Sequence, residues 1–398
     1  MQYADNDVLF ASAARTPFGR FGGGLSALTA VELGARVIAE VVQRAGIAGE
    51  RVDQVIMGTV ITAGMGQIPA RQAALLAGLP TSVSALTVNK VCASSLKAVN
   101  LGAILIRAGE ADVVVAGGME SMSQAPYLVP GARFGLRMNN AEMVDSMQHD
   151  GLRCPVGKTL MADYGSEVAA EYEVSREDQD LWAARSQQRY SEALDAGRLA
   201  REVIPVEIPQ RRGEPLQLDR DEQPRPGTTL EALAALRPVH EGGSITPGNA
   251  PGVNDGASAV LMVSGRVART DGLEVLGAWR AQGEAAEPVK YLATVPAYAL
   301  QAALRKLDRK ATDLALLEIN EAFAAVAITA SNLLGVSDDR VNVNGGAVAV
   351  GHPIGASGTR ILMSLLYELG RRGGGLGGAT ICSGMAQGEA TVVEVATA

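Results

Sequence analysis

The sequence predicts an α/β protein with more than one packed unit, and three observations predict it. At 398 residues the chain exceeds what one hydrophobic core normally serves. Short apolar runs of strand length alternate with amphipathic stretches of helix length, which is the α/β pattern. Glycine accounts for 46 residues, well above the roughly 7% of average proteins, and gathers beside the apolar runs, where tight turns and close backbone approach are needed.

Taken in order, Val8-Leu9-Phe10 reads as a buried strand, Thr29 to Gly46 as a helix, and Val55-Ile56-Met57 and Val113-Val114-Val115-Ala116 as further strands. From about Glu120 to Asn249 the texture shifts to Met, Pro and charged residues, with an amphipathic helix over Trp182 to Leu194. That stretch reads as an insertion or lid. After Asn254 the alternation returns with strands at Ala259 to Val263 and Leu314 to Leu317 and a helix over Ser357 to Leu369. The two α/β units resemble each other, each with a Val-Asn pair, a small-residue turn, an apolar helix and a strand ending at glycine: Val88-Asn89 through Gly117-Gly118, and Val343-Asn344 through Cys382-Ser383-Gly384. A duplication explains this, and so does the generic likeness of βα units.

Apolar residues make up 47% and charged ones 20%, so a folded globular chain is expected. A net charge of −8 leaves no footprint for nucleic acid or an anionic membrane. Met1 to Asp7 lacks the basic stretch and apolar core of a signal peptide, and no uncharged apolar run reaches ~18 residues, so a cytoplasmic protein is expected. Three cysteines, Cys92, Cys154 and Cys382, are too few and too irregularly spaced for a disulfide framework or a zinc site. No metal is expected.

Cys92 stands where a strand should turn into the helix beginning near Ala93. The amides and dipole of a helix N-terminus stabilise a thiolate, so a lowered pKa and a nucleophilic role are expected there. The alternative is a small buried hydrophobe. The candidate base is His352, in Gly351-His352-Pro353-Ile354-Gly355, where glycines permit close approach and Pro353 stiffens the turn. His149 and His240 sit in polar surroundings and read as solvated. Cys382 ends a second buried strand at a glycine turn and suits a base acting at the carbon beside a thioester carbonyl, with Gly384 offering an N–H that no Cβ obstructs. Cys154 reads as structural. Asn320, opening Asn320-Glu321-Ala322-Phe323, either caps a helix or orients a water.

Together Asn89-Lys90-Val91-Cys92-Ala93-Ser94, Gly117-Gly118-Met119-Glu120-Ser121-Met122-Ser123, Asn320-Glu321-Ala322-Phe323, Gly351-His352-Pro353-Ile354-Gly355 and Cys382-Ser383-Gly384 resemble the thiolase family, in its motifs and their order, over essentially the whole chain. The resemblance implies two duplicated αβαβα halves in a five-layered sandwich with an inserted loop domain. It divides the chain into 1–119 plus 250–272, an insertion over 120–249, and 273–398. It implies a homodimer or homotetramer that makes or cleaves carbon–carbon bonds of acetyl-CoA and 3-ketoacyl-CoA, with coenzyme A as substrate and no cofactor. An acetyl-CoA acetyltransferase is the reading favoured, with a longer-chain 3-ketoacyl-CoA thiolase as the alternative and a ketoacyl synthase or noncatalytic lipid carrier set lower. By this resemblance Cys92 is acylated, His352 activates it and shares an oxyanion hole with a water on Asn320, Cys382 is the acid or base, and the N–H groups of Cys92 and Gly384 form a second hole. Leu152, Arg225, Pro251, Gly252, Ala322 and Phe323 fall at coenzyme A contacts. The chain departs from the family's short-chain branch at Leu160, where a histidine is usual, at Pro251, where a serine is usual, and in Gly384-Met385-Ala386-Gln387, where the branch has further glycines.

Overall fold

The computed structural model describes residues 3–210 and 213–397. Nine strands form the path of a ten-stranded main sheet: β1 (Val8–Arg15), β2 (Gln54–Gly58), β3 (Ser84–Val88), β4 (Val113–Ser121), β5 (Asn254–Ser264), β6 (Gly277–Ala286), β7 (Leu316–Ile319), β8 (Gly375–Ser383) and β9 (Gln387–Val395), with the two-residue strand Gly19–Arg20 paired to β5 off this path. Their order in space is β7-β8-β9-β6-β1-β5-β4-β2-β3. β1, β4 and β5 are buried at every residue because both of their faces are covered, whereas the end strand β3 is partly exposed. In β5, Ala257, Ala259, Leu261 and Val263 join one buried cluster while Val260 and Met262 join another, as the two-residue period of a strand requires.

The helices that cover these faces are α1 (Ala30–Ala45), α2 (Ser94–Ala108), α3 (Met161–Glu171), α4 (Arg176–Asp195), α5 (Val295–Arg305), α6 (Ala324–Leu334) and α7 (Ser357–Arg371). Leu33, Val37 and Val41 of α1 pack on the outer face of the first half's strands. Leu96 and Val99 of α2 and Ile361 and Leu365 of α7 share a cluster with Val260 from one half and Val393 from the other. Leu300 of α5 and Ala327 of α6 cover Leu317 and Val392. Helix, sheet, paired helices, sheet, helix: five layers result. Although the stretch Val91–Ala108, which holds α2, is long and apolar enough to cross a membrane by composition, here α2 packs in the buried cluster shared by the two halves.

The duplication is visible in the pairing. In the first half β2 runs parallel to both β3 and β4. In the second, β7 runs parallel to β8, and Leu317 bridges Val341 in the same sense. The halves join where β1 meets β6 through Leu9↔Ala278 and Phe10↔Gly277.

Several expected bounds shift, for physical reasons. The strand expected at Leu314 to Leu317 is Leu316–Ile319, because Ala311–Asp313 is still a tight helical turn. The helix expected from Trp182 begins at Arg176, where Ser175 accepts the Asp178 N–H and Asp178 reciprocates. β1 continues to Arg15, whose guanidinium is buried but meets Glu202 at 3.1 Å and Asp221 at 2.6 Å. Asp221 also accepts from Phe18 N and the Tyr190 hydroxyl. This cluster ties the middle segment to the first half.

Candidate active site

After β3 the chain makes a tight turn: Asn89 Oδ1 accepts from Val91 N at 2.9 Å, Val91 takes a φ of +45°, and Ser94 Oγ donates to Val91 O at 2.6 Å. The turn leaves Cys92 two residues before α2 and half-buried. The thiol is not held as a thiolate. Burial pushes it up to about 11, the N–H groups of Gly384 and of Cys92 itself oppose that rise, and the Glu120 carboxylate adds to it. The expected lowering therefore fails, because desolvation of the anion outweighs what nearby amides return.

His352 follows Gly351, whose φ of +107° and whose contact with Asn254 leave no room for a Cβ. Asn254 Oδ1 accepts from His352 N at 2.8 Å. The imidazole Nδ1 stands 2.6 Å from Ser357 Oγ, and Nε2 is buried with no protein partner. Burial and the Arg360 charge hold the ring's pKa down to about 3, so it is a neutral base.

Cys382, in β8, is buried, and burial together with the neighbouring Cys92 raises its thiol well above the usual range. The turn that follows is strained: Met385 and Ala386 take φ of +65° and +49°, where L-residues cost roughly 1–2 kcal/mol each. At Gly384 a Cβ would meet Val91 Cγ1 at an ordinary 3.4 Å. So Gly384 does not owe its N–H contact with Cys92 to lacking a side chain, as expected from sequence.

Cys92, His352, Cys382 and Gly384 line one cavity of about 260 Å³. Leu152, Pro251, Gly252, Ala322 and Phe323 line it too, as do Leu160 and Met161. Arg225 does not; it is exposed, and its Nη1 donates to Pro247 O at 3.2 Å. Asn320 is buried outside the lining. It does not cap α6, whose N-cap position is Phe323, and its Nδ2 has no protein partner while Oδ1 faces Arg360 at 3.5 Å. A larger recess of about 670 Å³ beside α4 and α6 holds neither sulfurs nor imidazole. Among the described residues no cluster of three or more His, Cys, Asp or Glu comes together to hold a metal.

Three supports were not singled out from sequence. Glu321 accepts from Trp182 Nε1, Ser186 Oγ, Asn342 Nδ2 and Val348 N, fixing the chain just before the His352 turn. Ser357 orients the imidazole, and its place at the start of a helix five residues on was a readable sign. Asn254 gave none, being one polar residue at the head of a strand.

The sequence matches the profile described as "Thiolase, N-terminal domain" over residues 8–266 and that described as "Thiolase, C-terminal domain" over residues 273–395. It is 49% identical over 385 residues to a protein of Pseudomonas aeruginosa named acetyl-CoA acetyltransferase, covering 96% of this chain and 98% of that one. It is 47% identical to one of the same name from Cupriavidus necator, covering 98% and 99%. A Staphylococcus epidermidis protein named probable acetyl-CoA acyltransferase is 44% identical, covering 97% and 98%.

Proposed function

The chain belongs to the thiolase family and is an acyltransferase, and from that premise we propose that it acts as an acetyl-CoA acetyltransferase through an acyl group carried on Cys92. One observation carries this reading: two thiols, a neutral imidazole and two backbone N–H donors meet at one cavity. Because the Cys92 thiol is protonated at rest, a base must take its proton as sulfur attacks the thioester carbonyl, and the free lone pair of His352 is suited to that. The N–H groups of Cys92 and Gly384, already turned toward the sulfur, are placed to receive a developing oxyanion. Coenzyme A then leaves. The departing coenzyme A thiolate takes the proton of the Cys382 thiol. The Cys382 thiolate so formed takes an α-proton from a second acetyl-CoA, whose carbanion attacks the carbonyl carbon of the acyl group on Cys92. The Cys92 sulfur leaves and recovers its proton from His352 as acetoacetyl-CoA is released. Thiolysis is the reverse. The unpartnered Asn320 Nδ2 is a buried donor that a water beside the imidazole would satisfy.

Brief incubation with acetyl-CoA should place a covalent acetyl group on the peptide containing Cys92; labelling elsewhere, or none, would sink the assignment. The lining supports a second reading, since Leu160 and Pro251 bring apolar surface where the short-chain branch has polar groups. A longer-chain 3-ketoacyl-CoA would then outpace acetoacetyl-CoA in thiolysis. Free acetyl-CoA and coenzyme A are the partners on either reading, in a cytoplasmic setting that three free cysteines support. A homodimer or homotetramer is supported by β3, an end strand with half-exposed Leu86, and by the exposed Phe134, Leu136, Met138 and Met143 of the middle segment.

A further inference from the structure

The two halves place different side chains at one equivalent point. Gly58 pairs with Gly118 in the first half and Ile319 with Thr380 in the second, and two residues beyond each pair stand Glu120 and Cys382. Likewise Cys92 lies two residues before the first residue of α2, and Gly355 two before that of α7. Cys382 neighbours Cys92; Glu120 correspondingly meets Gly355. Its Oε2 accepts from Gly355 N at 3.0 Å and Val60 N at 3.1 Å, while Oε1 accepts from Ile61 N at 3.2 Å and Thr59 Oγ1 at 3.3 Å. The carboxylate is 1% exposed, and a Cβ on Gly355 would come within 2.6 Å of it.

We propose that Glu120 is a positioning residue for acyl transfer: it clamps the turn carrying His352 from the second half onto the 59–61 loop of the first, and so fixes where the imidazole stands relative to Cys92. Four donors converge on two oxygens, a demand only a carboxylate meets. The clamped segments also carry Ile61 and Ile354, which pack together beside Cys92 and Leu152, so one side chain sets both the base and the apolar wall next to the nucleophile. Burial pushes the Glu120 carboxyl up to about 7 against the pull of these donors, and an apolar residue in the same space would leave all four without an acceptor.

This inference rests on the acyl-transfer reading of the cavity, and the test separates the two. Glu120→Gln keeps size but offers one accepting oxygen and a donating amide, so at least one of the three N–H groups loses its acceptor. In the full chain, with acetoacetyl-CoA and coenzyme A, kcat should fall about 10- to 100-fold, the scale of a misplaced catalytic group, with KM within about threefold. Deuterium exchange in the peptide carrying Gly355 should rise. Thr59→Val removes one donor and leaves the carboxylate, and should give a smaller fall in kcat, about two- to fivefold, in the same sense; it carries the test by the same two measures if Glu120→Gln does not fold. A kcat within about twofold of wild type in Glu120→Gln, or unchanged exchange at Gly355, overturns the assignment. A wild-type chain without thiolysis would sink the functional reading and not the clamp, which exchange reads without any thioester.

Discussion

Ser357 decides which nitrogen of His352 faces the cavity. The serine hydroxyl has one proton, and it goes to Pro353 O at 2.9 Å. Oγ can therefore only accept from the imidazole 2.6 Å away, which puts the ring proton on Nδ1 and the lone pair on Nε2. Ser357→Ala frees the ring to take the other tautomer. Its kcat for thiolysis should drop about 10- to 100-fold with KM little changed, short of or equal to the about 10²–10⁴ that general-base catalysis supplies; steady-state kinetics decides it.

The pH dependence follows from burial. Cys92, raised to about 11, should alkylate with iodoacetamide at a rate that climbs through pH 9 without a plateau. No inflection should appear near 6.5, since His352 stays neutral down to about 3. For stability, a base with a depressed folded pKa contributes above its unfolded value and loses that contribution as pH falls from about 6.5 toward 3. Urea unfolding at pH 7 and pH 5 should find His352→Gln losing less stability on acidification than wild type.

Cys382→Ser separates the two halves of the reaction. Acetyl transfer from acetyl-CoA to Cys92 should survive in part, because that step needs no α-proton removed, while carbon–carbon bond formation falls by about 10²-fold or more. Intact-mass labelling and a condensation assay read the two steps; equal loss of both would refute a separate role for Cys382.

Arg15→Ala leaves the buried carboxylates of Glu202 and Asp221 without their cation. Breaking a buried pair by removing one partner costs about 3–5 kcal/mol, and denaturant unfolding should show a loss of that order.

What the sequence discloses depends on whether a signal is local. The ends of α1 are legible because Thr29 and Glu32 form a reciprocal cap and Gly46 takes a left-handed φ of +66°, all within a few residues of the helix. The reach of β1 to Arg15 is not, since a charged residue in a strand reads as its end until Glu202 and Asp221 arrive from far along the chain. Cys92, His352 and Cys382 stand out through glycine-rich turns that mark them locally, and they line one cavity. The protonation of Cys92 was misjudged because a helix N-terminus is a local feature and desolvation is not. Glu120 lies within one of the motifs that carry the resemblance, yet nothing local assigns it a role; only folding gathers four donors around it.

The nucleophile and the base each sit at the mouth of a helix that has a sheet on either side, α2 and α7 being the central layer. Neither helix can loosen without opening both sheets at once. The enzyme should therefore lack a partly melted form that still works: heat inactivation and loss of the central hydrogen-exchange protection ought to be a single event, and a variant that tolerates higher temperature should keep working up to its new melting point.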